Sequence, residues 1–495
     1  MRQRRPLALK CASIQMCCVP KPHLPSEVIM LEMNWPFAEL TAALNGRMAM
    51  PAPRGNGSVR LVQTDSRQVQ AGDLFVCLVG ERFDAHDFAE QVAKAGASGL
   101  VCNRPLDLDL PQWVVDDTRL ALGALAHAWR MKFKLPVLAV VGSNGKTSTK
   151  EMLGSICKAQ CGESHVLVTQ GNLNNDIGVP QTLLQLRAHH QMAVVEMGMN
   201  HPGEIAYLSG LVKPDVALLT NAQREHQEFM KTVEAVALEN GSVFEHLPAA
   251  GMAVFPAGTA FDALWVKQST AQRLMRFGAG GDFELVMPGP GVHGSAAFLK
   301  TPQGEFQIRP TFMGGHNASN AAAAAAAAHG GGCDSASICK GLEAFKPVNG
   351  RLQVVLQTPE LTLINDAYNA NPDSVNAASD VLSTLPGNTL MVLGDMGEVG
   401  DRSDEFHREV GEHARKAGVQ RLYGLGEASI HSVRGFGPGA QHFNNLDELI
   451  ESTMKTLQQG NWSVLVKGSR FMKMERVVDA LLKAHTQPQE NRHAS

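Results

Sequence analysis

The 495-residue chain has no apolar run approaching the ~20 residues that a helix needs to cross a bilayer, so no membrane span is expected. It has no marked charge imbalance either. A net charge of -4 and a pI near 6.5 argue against nucleic acid or an acidic membrane surface as partner. Its nine cysteines lack the paired spacing of a metal site. Cys77, Cys102 and Cys157 sit in or beside apolar patterns and read as small buried hydrophobes of a reducing, cytoplasmic compartment. What the chain does have is length, enough for about three domains, because single cores stop growing well below this size. A monomer is the expected assembly.

Residues 1–32 carry no evident core pattern. MRQRRPLALKCASIQMCCVP starts basic and turns mildly apolar, like a weak signal peptide, but Lys10 interrupts it and no small-x-small cleavage site follows. The expectation is a disordered extension, or an upstream start codon read in place of Met30 or Met33. Cys17–Cys18 then belong to a tail. The globular pattern begins near Trp35.

The run VVGSNGKTSTKEM, Val140 to Met152, is the most informative stretch. An apolar segment, Leu135 to Val141, reads as a buried strand before it, and a helical pattern follows. Strand, glycine turn and helix bind nucleotide phosphates, because backbone N–H groups of the turn and helix start point at the anion. Lys146 is placed to reach the outer phosphates and Thr147 to offer a hydroxyl to phosphate-bound magnesium. The usual P-loop wants glycine where this chain has Val140, leaving the shortened form Gly-x-Asn-Gly-Lys-Thr. A chance GKT on a surface turn is the bland alternative, and the strand before it weighs against that. ATP is the expected nucleotide.

Three α/β blocks follow one another, at 33–134, 135–348 and 349–495. In the first, strand-like runs (Asp73–Val79, Gly99–Cys102, Trp113–Val115) alternate with helical ones (Phe88–Ala95, Arg119–Phe133). The middle block adds buried strands at Ala193–Glu196 and Val216–Thr220, then a Gly- and Pro-rich stretch, Phe283 to Phe312, that suits antiparallel hairpins. HNASNAAAAAAAAHGGG reads as a tightly packed helix stopped by its glycines. The last block alternates again, with strands at Leu361–Ile364, Thr389–Leu393, Arg421–Tyr423 and Ser463–Val466, the mark of a doubly wound parallel sheet. Its polar clusters fall after strands, at the carboxyl edge where such sheets hold ligands.

Glu196 ends an apolar strand, where a carboxylate can hold a metal or simply be a satisfied edge charge. His226 follows another strand, and a lone histidine is more often structural. Presented with Thr147 from one sheet edge, the two suit magnesium bridging ATP to a substrate. Asn172, Asn174 and Asn175 form a polar turn able to ligate substrate, although an Asn-rich turn needs no function. Arg351 and Asp366 lie at the seam of the second and third blocks, suited to a phosphate and to a ribose hydroxyl or ammonium, or else to an interdomain ion pair. Lys467 follows an apolar strand, with its ammonium aimed at the cleft.

The strings TDSRQVQAGDLFVCLVGERFDAHDF, GNLNNDIGVP, VEMGMNHPGEI, GGHNASN, NDAYNANPDS, LGDMGEVGDRS and KGSRFMKME together resemble the Mur ligase family over nearly all of residues 33–482. That resemblance implies a central P-loop mononucleotide-binding domain flanked by an N-terminal UDP-substrate domain and a C-terminal Rossmann-like domain. It implies an ATP-dependent amide ligase of peptidoglycan precursor synthesis that works through an acyl phosphate. YNANPDS favours UDP-N-acetylmuramoyl-tripeptide and D-alanyl-D-alanine as the substrates. By the same resemblance Gly142, Ser143, Asn144, Gly145, Lys146, Thr147 and Ser148 hold the ATP phosphates, and Thr147, Glu196 and His226 ligate magnesium. Asn317 contacts the adenine, while Arg351 and Asp366 meet ATP from the seam. Ser66 and Arg67 belong to a uridine-nucleotide motif; Asn172 and Asn175, with Asn369, Asn371 and Ser374, belong to substrate, and Lys467 faces the reacting phosphate. Relatives often carry a carbamate-modified lysine where this chain has Asn240, with Glu239 beside it as a substitute. The rival readings are a ligase for another amine, diaminopimelate or glutamate, and a P-loop ATPase that drives a partner.

Overall fold

The computed structural model describes residues 32–45, 57–80, 83–225, 227–287 and 295–486. The expectations for the leader, for Cys17–Cys18 and for His226 fall outside those residues.

The first block forms a four-stranded parallel sheet in the order Val62–Gln63, Leu74–Val76, Gly99–Cys102, Gln112–Val114. A short antiparallel pair, Trp35–Pro36 with Ser58–Val59, lies beside it. Helix Thr118–Arg130 starts where the Asp117 carboxylate accepts from the backbone N–H groups of Arg119 and Leu120, and its apolar face is buried. Trp129 of this helix packs on Trp35 at 5.3 Å between ring centres and donates to the carbonyl of Leu186 in the middle block. Arg130 likewise donates to the carbonyls of Val212 and Lys213. One apolar core therefore runs from the first block into the second. The described cysteines are free thiols, and burial pushes Cys77 up to about 12 and Cys102 to about 11.

The middle block is built on six parallel strands in the order Arg273–Phe277, Met252–Pro256, Val216–Leu219, Val137–Val141, Met192–Glu196, Val166–Val168. Val137–Val141 is central, so the carboxyl ends of its two neighbours bracket whatever follows it. Helix Lys146–Cys161 leaves the central strand, and helix Gly315–Gly330 packs against it. Ala321 to Ala328 are all fully buried, and that close approach is what methyl side chains permit. Gly330 sits so near Met252 that an added Cβ would come within 2.7 Å of its sulfur. An antiparallel sheet, Glu284–Val286, Ala297–Thr301 and Gly304–Ile308, extends the block.

The last block has six strands, Gln353–Gln357, Leu361–Asp366, Trp462–Lys467, Asn388–Gly394, Arg421–Leu425, Ala440–Phe443. Five are parallel, but Gln353–Gln357 runs antiparallel to Leu361–Asp366. Only residues 358–360 connect those two, too few for the crossover that a parallel pair requires. The parallel register sets Asp366 directly beside Lys467. Among the described residues no helix is long and apolar enough to cross a membrane.

Candidate active site

Gly142 to Gly145 turn between the central strand and helix Lys146–Cys161. Gly142 and Gly145 hold φ of 125° and 80°, which favour glycine, and an added Cβ at Gly142 would meet the Thr220 hydroxyl at 2.2 Å. At Gly145 it would meet the Asn320 amide oxygen at 2.4 Å. The turn is held from the neighbouring strand's exit. Ser143 N donates to the Asn221 carbonyl at 3.0 Å and Asn144 N to its side-chain oxygen at 2.9 Å. Gln223 N donates to Ser143 Oγ at 2.9 Å, and Thr220 Oγ1 to the Asn144 carbonyl at 2.8 Å. Lys146 folds back on its own turn, donating to the carbonyls of Gly142 and Ser143, and pairs with Glu225 at 3.1 Å.

Glu196 ends the other neighbouring strand and is 1% exposed. Its Oε1 accepts from Asn174 Nδ2 at 2.8 Å and Thr147 Oγ1 at 3.3 Å, and its backbone N–H donates to Thr169 Oγ1. Its Oε2 is buried without a partner. An oxygen-only pair with one orphaned carboxylate atom, at the mouth of a phosphate turn, is a fitting half-shell for a hard divalent cation. Among the described residues, which exclude His226, no group of three metal-type side chains is gathered.

Glu225 is 6% exposed and was not legible as a site residue. Besides Lys146 it accepts from Asn240 Nδ2 at 3.5 Å. Glu239, the expected substitute, has both oxygens engaged by backbone. Its two oxygens accept from the backbone N–H groups of Gly203 and Ile205, both at 2.8 Å, which ties it to the start of helix Glu204–Val212.

The opposite wall comes from the last block, across a cavity of about 570 Å³. Lys467 lines both this cavity and the one adjoining it, and its ammonium is held there by neighbours of its own block. It is 3% exposed, pairs with Asp366 at 2.6 Å and donates to the Asn369 carbonyl at 3.0 Å. Asp366 Oδ1 also accepts from Leu352 N at 3.0 Å, so each of its oxygens has one partner, and the residue lines the adjoining cavity. Arg351 stacks on Tyr368, 4.0 Å from the ring centre, with its Nε buried and unpartnered. Asn371 and Ser374 form a reciprocal cap on helix Pro372–Ser383. Asn371 also exchanges amide hydrogen bonds with Asn144, at 2.9 and 3.4 Å.

An adjoining cavity of about 440 Å³ shares Asn144, Gly145 and Arg351 with the first and is lined further by Ser148, Asn317 and Asp366. Asn317 donates to the Met313 carbonyl and accepts from Asn320. His316 also lines it, with burial pulling its imidazole below the ordinary value.

Two sequence-predicted pairs behave differently. Ser66 and Arg67 start a 3-10 turn capped by Asp65 and line neither cavity. Arg67 carries its own counter-ion, Asp65 at 2.7 Å, which is held near 2 chiefly by the Arg67 guanidinium. Asn172 and Asn175 line the larger cavity, but Asn175 Oδ1 accepts from Ile177 N and Gly178 N at the start of helix Gly178–Leu183. Asn174 is the member of the trio that reaches Glu196.

The interdomain ion pair exists, but not between Arg351 and Asp366. Arg224 makes it, with Asp373 at 2.5 Å and Glu409 at 2.8 Å. Burial pulls Arg224 down, and the two carboxylates outweigh it, holding the guanidinium above its ordinary value.

A glycine phosphate turn, a buried carboxylate beside it and a second α/β block facing both define a nucleotide-using transferase or ligase site. The sequence comparisons are more particular. The Mur ligase middle domain matches residues 140–328, the Mur ligase, glutamate ligase domain matches 350–470, and the Mur ligase family, catalytic domain matches 58–130. The chain belongs to the Mur ligase family, whose members are ATP-dependent peptide ligases. It is 41% identical, over 90% of its length and 98% of the relative's, to UDP-N-acetylmuramoyl-tripeptide--D-alanyl-D-alanine ligase of Escherichia coli (strain K12). The crystal structure of MurF from Acinetobacter baumannii superposes with a TM-score of 0.85 at 36% identity, covering 92% of this chain and 100% of that one. MurF ligase from Thermotoga maritima, solved in complex with ADP, gives 0.76 at 28% identity, covering 86% and 97%.

Proposed function

We propose that the protein joins D-alanyl-D-alanine to UDP-N-acetylmuramoyl-tripeptide, using ATP and releasing ADP and phosphate, in peptidoglycan precursor synthesis. The observation that carries this reading is the glycine turn running into helix Lys146–Cys161, opposite Asn369–Asn371 across one cavity. Residues 33–134 take the UDP-substrate, 135–348 the ATP, and 349–495 the amine. Ser66 and Arg67 meet the uridine nucleotide from outside the cavity. Asn172 and Asn175 border the tripeptide's path, and Asn369, Asn371 and Ser374 border the dipeptide's. The smaller cavity takes adenosine against Asn317, and Arg351 neutralises phosphate. A monomer in the cytoplasm, where ATP and UDP-linked precursors are made, suits this chemistry.

A carboxylate does not acylate amines, because its charge is delocalised and its leaving group is oxide. Transfer of the terminal phosphoryl group to the tripeptide carboxylate gives an acyl phosphate, and the dipeptide amine then displaces phosphate. The backbone N–H groups of Ser143 to Ser148 cradle the polyphosphate. Lys146 leaves Glu225 and turns to the transferring group, spreading its charge. Thr147, Glu196 and His226 would hold magnesium, which supplies charge neutralisation when bound. Lys467, kept in place by Asp366, presents a fixed positive charge on the amine side.

The test follows the carboxylate oxygen. Heavy oxygen placed in the tripeptide carboxylate should appear, one atom per turnover, in the released phosphate. Unlabelled phosphate, or AMP instead of ADP, would sink the acyl-phosphate reading. ADP release measured with diaminopimelate or glutamate in place of the dipeptide separates the rival amines.

A further inference from the structure

Residues 221–225 follow strand Val216–Leu219 and serve two sides of the cleft at once. Asn221 and Gln223 hold the phosphate turn, and Glu225 holds Lys146. Arg224, between them, faces the last block. Its backbone N–H and Nε donate to the Asp373 carboxylate at 2.9 and 3.0 Å, and a terminal nitrogen adds a third bond at 2.5 Å. The other terminal nitrogen donates to Glu409 at 2.8 Å, and the guanidinium lies 5.3 Å from the Phe406 ring. Asp373 is in the first turn of helix Pro372–Ser383, while Phe406 and Glu409 belong to helix Ser403–Ala417. Arg224 and Asp373 are each 21% exposed, so water competes poorly for the pair.

Domains joined by a modest polar interface move relative to one another by default, and their docked fraction depends on a few strong contacts. The seam holds such contacts here: the Arg224 fork and the Asn144–Asn371 amide pair. Both originate in the phosphate turn or in the segment that holds it.

We propose that Arg224 is a positioning residue that fastens the C-terminal block over the phosphate turn, so that the amine reaches the acyl phosphate before water does. The inference rests on the ligase reading above. Arg224 touches no reacting atom in this scheme. Its effect passes through Asp373 and Glu409 to the helices that carry the amine-side wall. Loosening it admits water to an intermediate that water destroys.

The experiment measures two products from the full-length protein: ADP, and the amide formed with D-alanyl-D-alanine. Wild type should give one amide per ADP. Arg224→Ala should release ADP without matching amide, and kcat/KM for the dipeptide should fall at least ~10-fold, while ADP affinity measured calorimetrically stays within about twofold. Asp373→Asn should behave alike. Arg224→Lys should recover only part of the coupling, because an ammonium lacks the fork. If Arg224→Ala does not fold, Arg224→Lys and Asp373→Asn carry the test. A coupling ratio that stays at one would overturn the proposal, as would ADP affinity and turnover falling together. Wild type that makes no amide would instead overturn the ligase reading and leave the clamp's coupling of the two blocks to be read from ADP release alone, where unchanged release in Arg224→Ala also counts against it.

Discussion

The middle and last blocks are both six-stranded sheets with their polar residues at strand ends, yet those ends are finished in opposite ways. In the middle block the edge is left open toward the cavity. Glu196 has an unpartnered oxygen, and Lys146 is held by two carbonyls of its own turn and by a carboxylate that a phosphate can displace. In the last block the edge is closed on itself. Lys467 is held in place by Asp366, and Asn371 and Ser374 cap their own helix. One edge is arranged to receive a phosphate together with its cation. The other is arranged to keep its shape while it moves against the first.

Substitutions on the closed edge should therefore damage stability first, and substitutions on the open edge turnover first. The largest expected effect is Asp366→Ala, which strands a buried ammonium and should cost about 3–5 kcal/mol of stability, read as a fall in melting temperature. Asp366→Leu combined with Lys467→Met should lose much less than either change alone, because no uncompensated charge remains. Lys146→Ala comes next. It should cut amide formation at least ~100-fold, an effect of several kcal/mol on the transition state, with a smaller fall in melting than Asp366→Ala because Glu225, left without its cation, lines the open cavity. A Lys146→Ala protein that melts as early as Asp366→Ala would break the comparison.

Asn371→Ala should be smaller, about 0.5–2 kcal/mol from the lost helix cap in thermal unfolding, with an added rise in KM for the dipeptide from the lost Asn144 link. The smallest effect is on pH. Burial depresses His407, whose Nε2 accepts from Met396 N and whose Nδ1 faces the Ser403 carbonyl. Its folded-state value lies below the ordinary one, so the unfolded chain takes the proton first as pH falls. The stability it contributes is whole above the unfolded pKa near 6.5 and is lost as pH drops through that value toward the folded one. Melting curves between about pH 7 and pH 5 should flatten in His407→Gln. An unchanged slope would show that His407 contributes nothing to this dependence.

The phosphate turn was legible from sequence because its chemistry is local: the glycines, the lysine and the hydroxyl are consecutive, and the strand before them is apolar. Arg224 and Glu225 were not. Their meaning lies with partners such as Asp373, 149 residues on, and Glu409, 185 residues on, which only the folded seam brings near. Strand Gln353–Gln357 was not legible because its apolar run is only three residues long, Val354 to Leu356, and half-buried at the sheet's edge. Within the Asn trio the composition was readable, but which amide turns toward Glu196 depends on the turn's path. Asn174 points inward and Asn175 is taken up by the next helix. The pairing of Asp366 with Lys467 required a parallel register between strands 101 residues apart.

The alanine helix carries a constraint of another kind. At one end Asn320 abuts the phosphate turn at Gly145, and at the other Gly330 abuts Met252 of the sheet. The run between them is a spacer whose length is fixed by two docking points. Gaining or losing one alanine would advance everything beyond by about 1.5 Å and rotate it by about 100°. A repetitive codon tract invites that error during replication. Along this helix the gene must keep count.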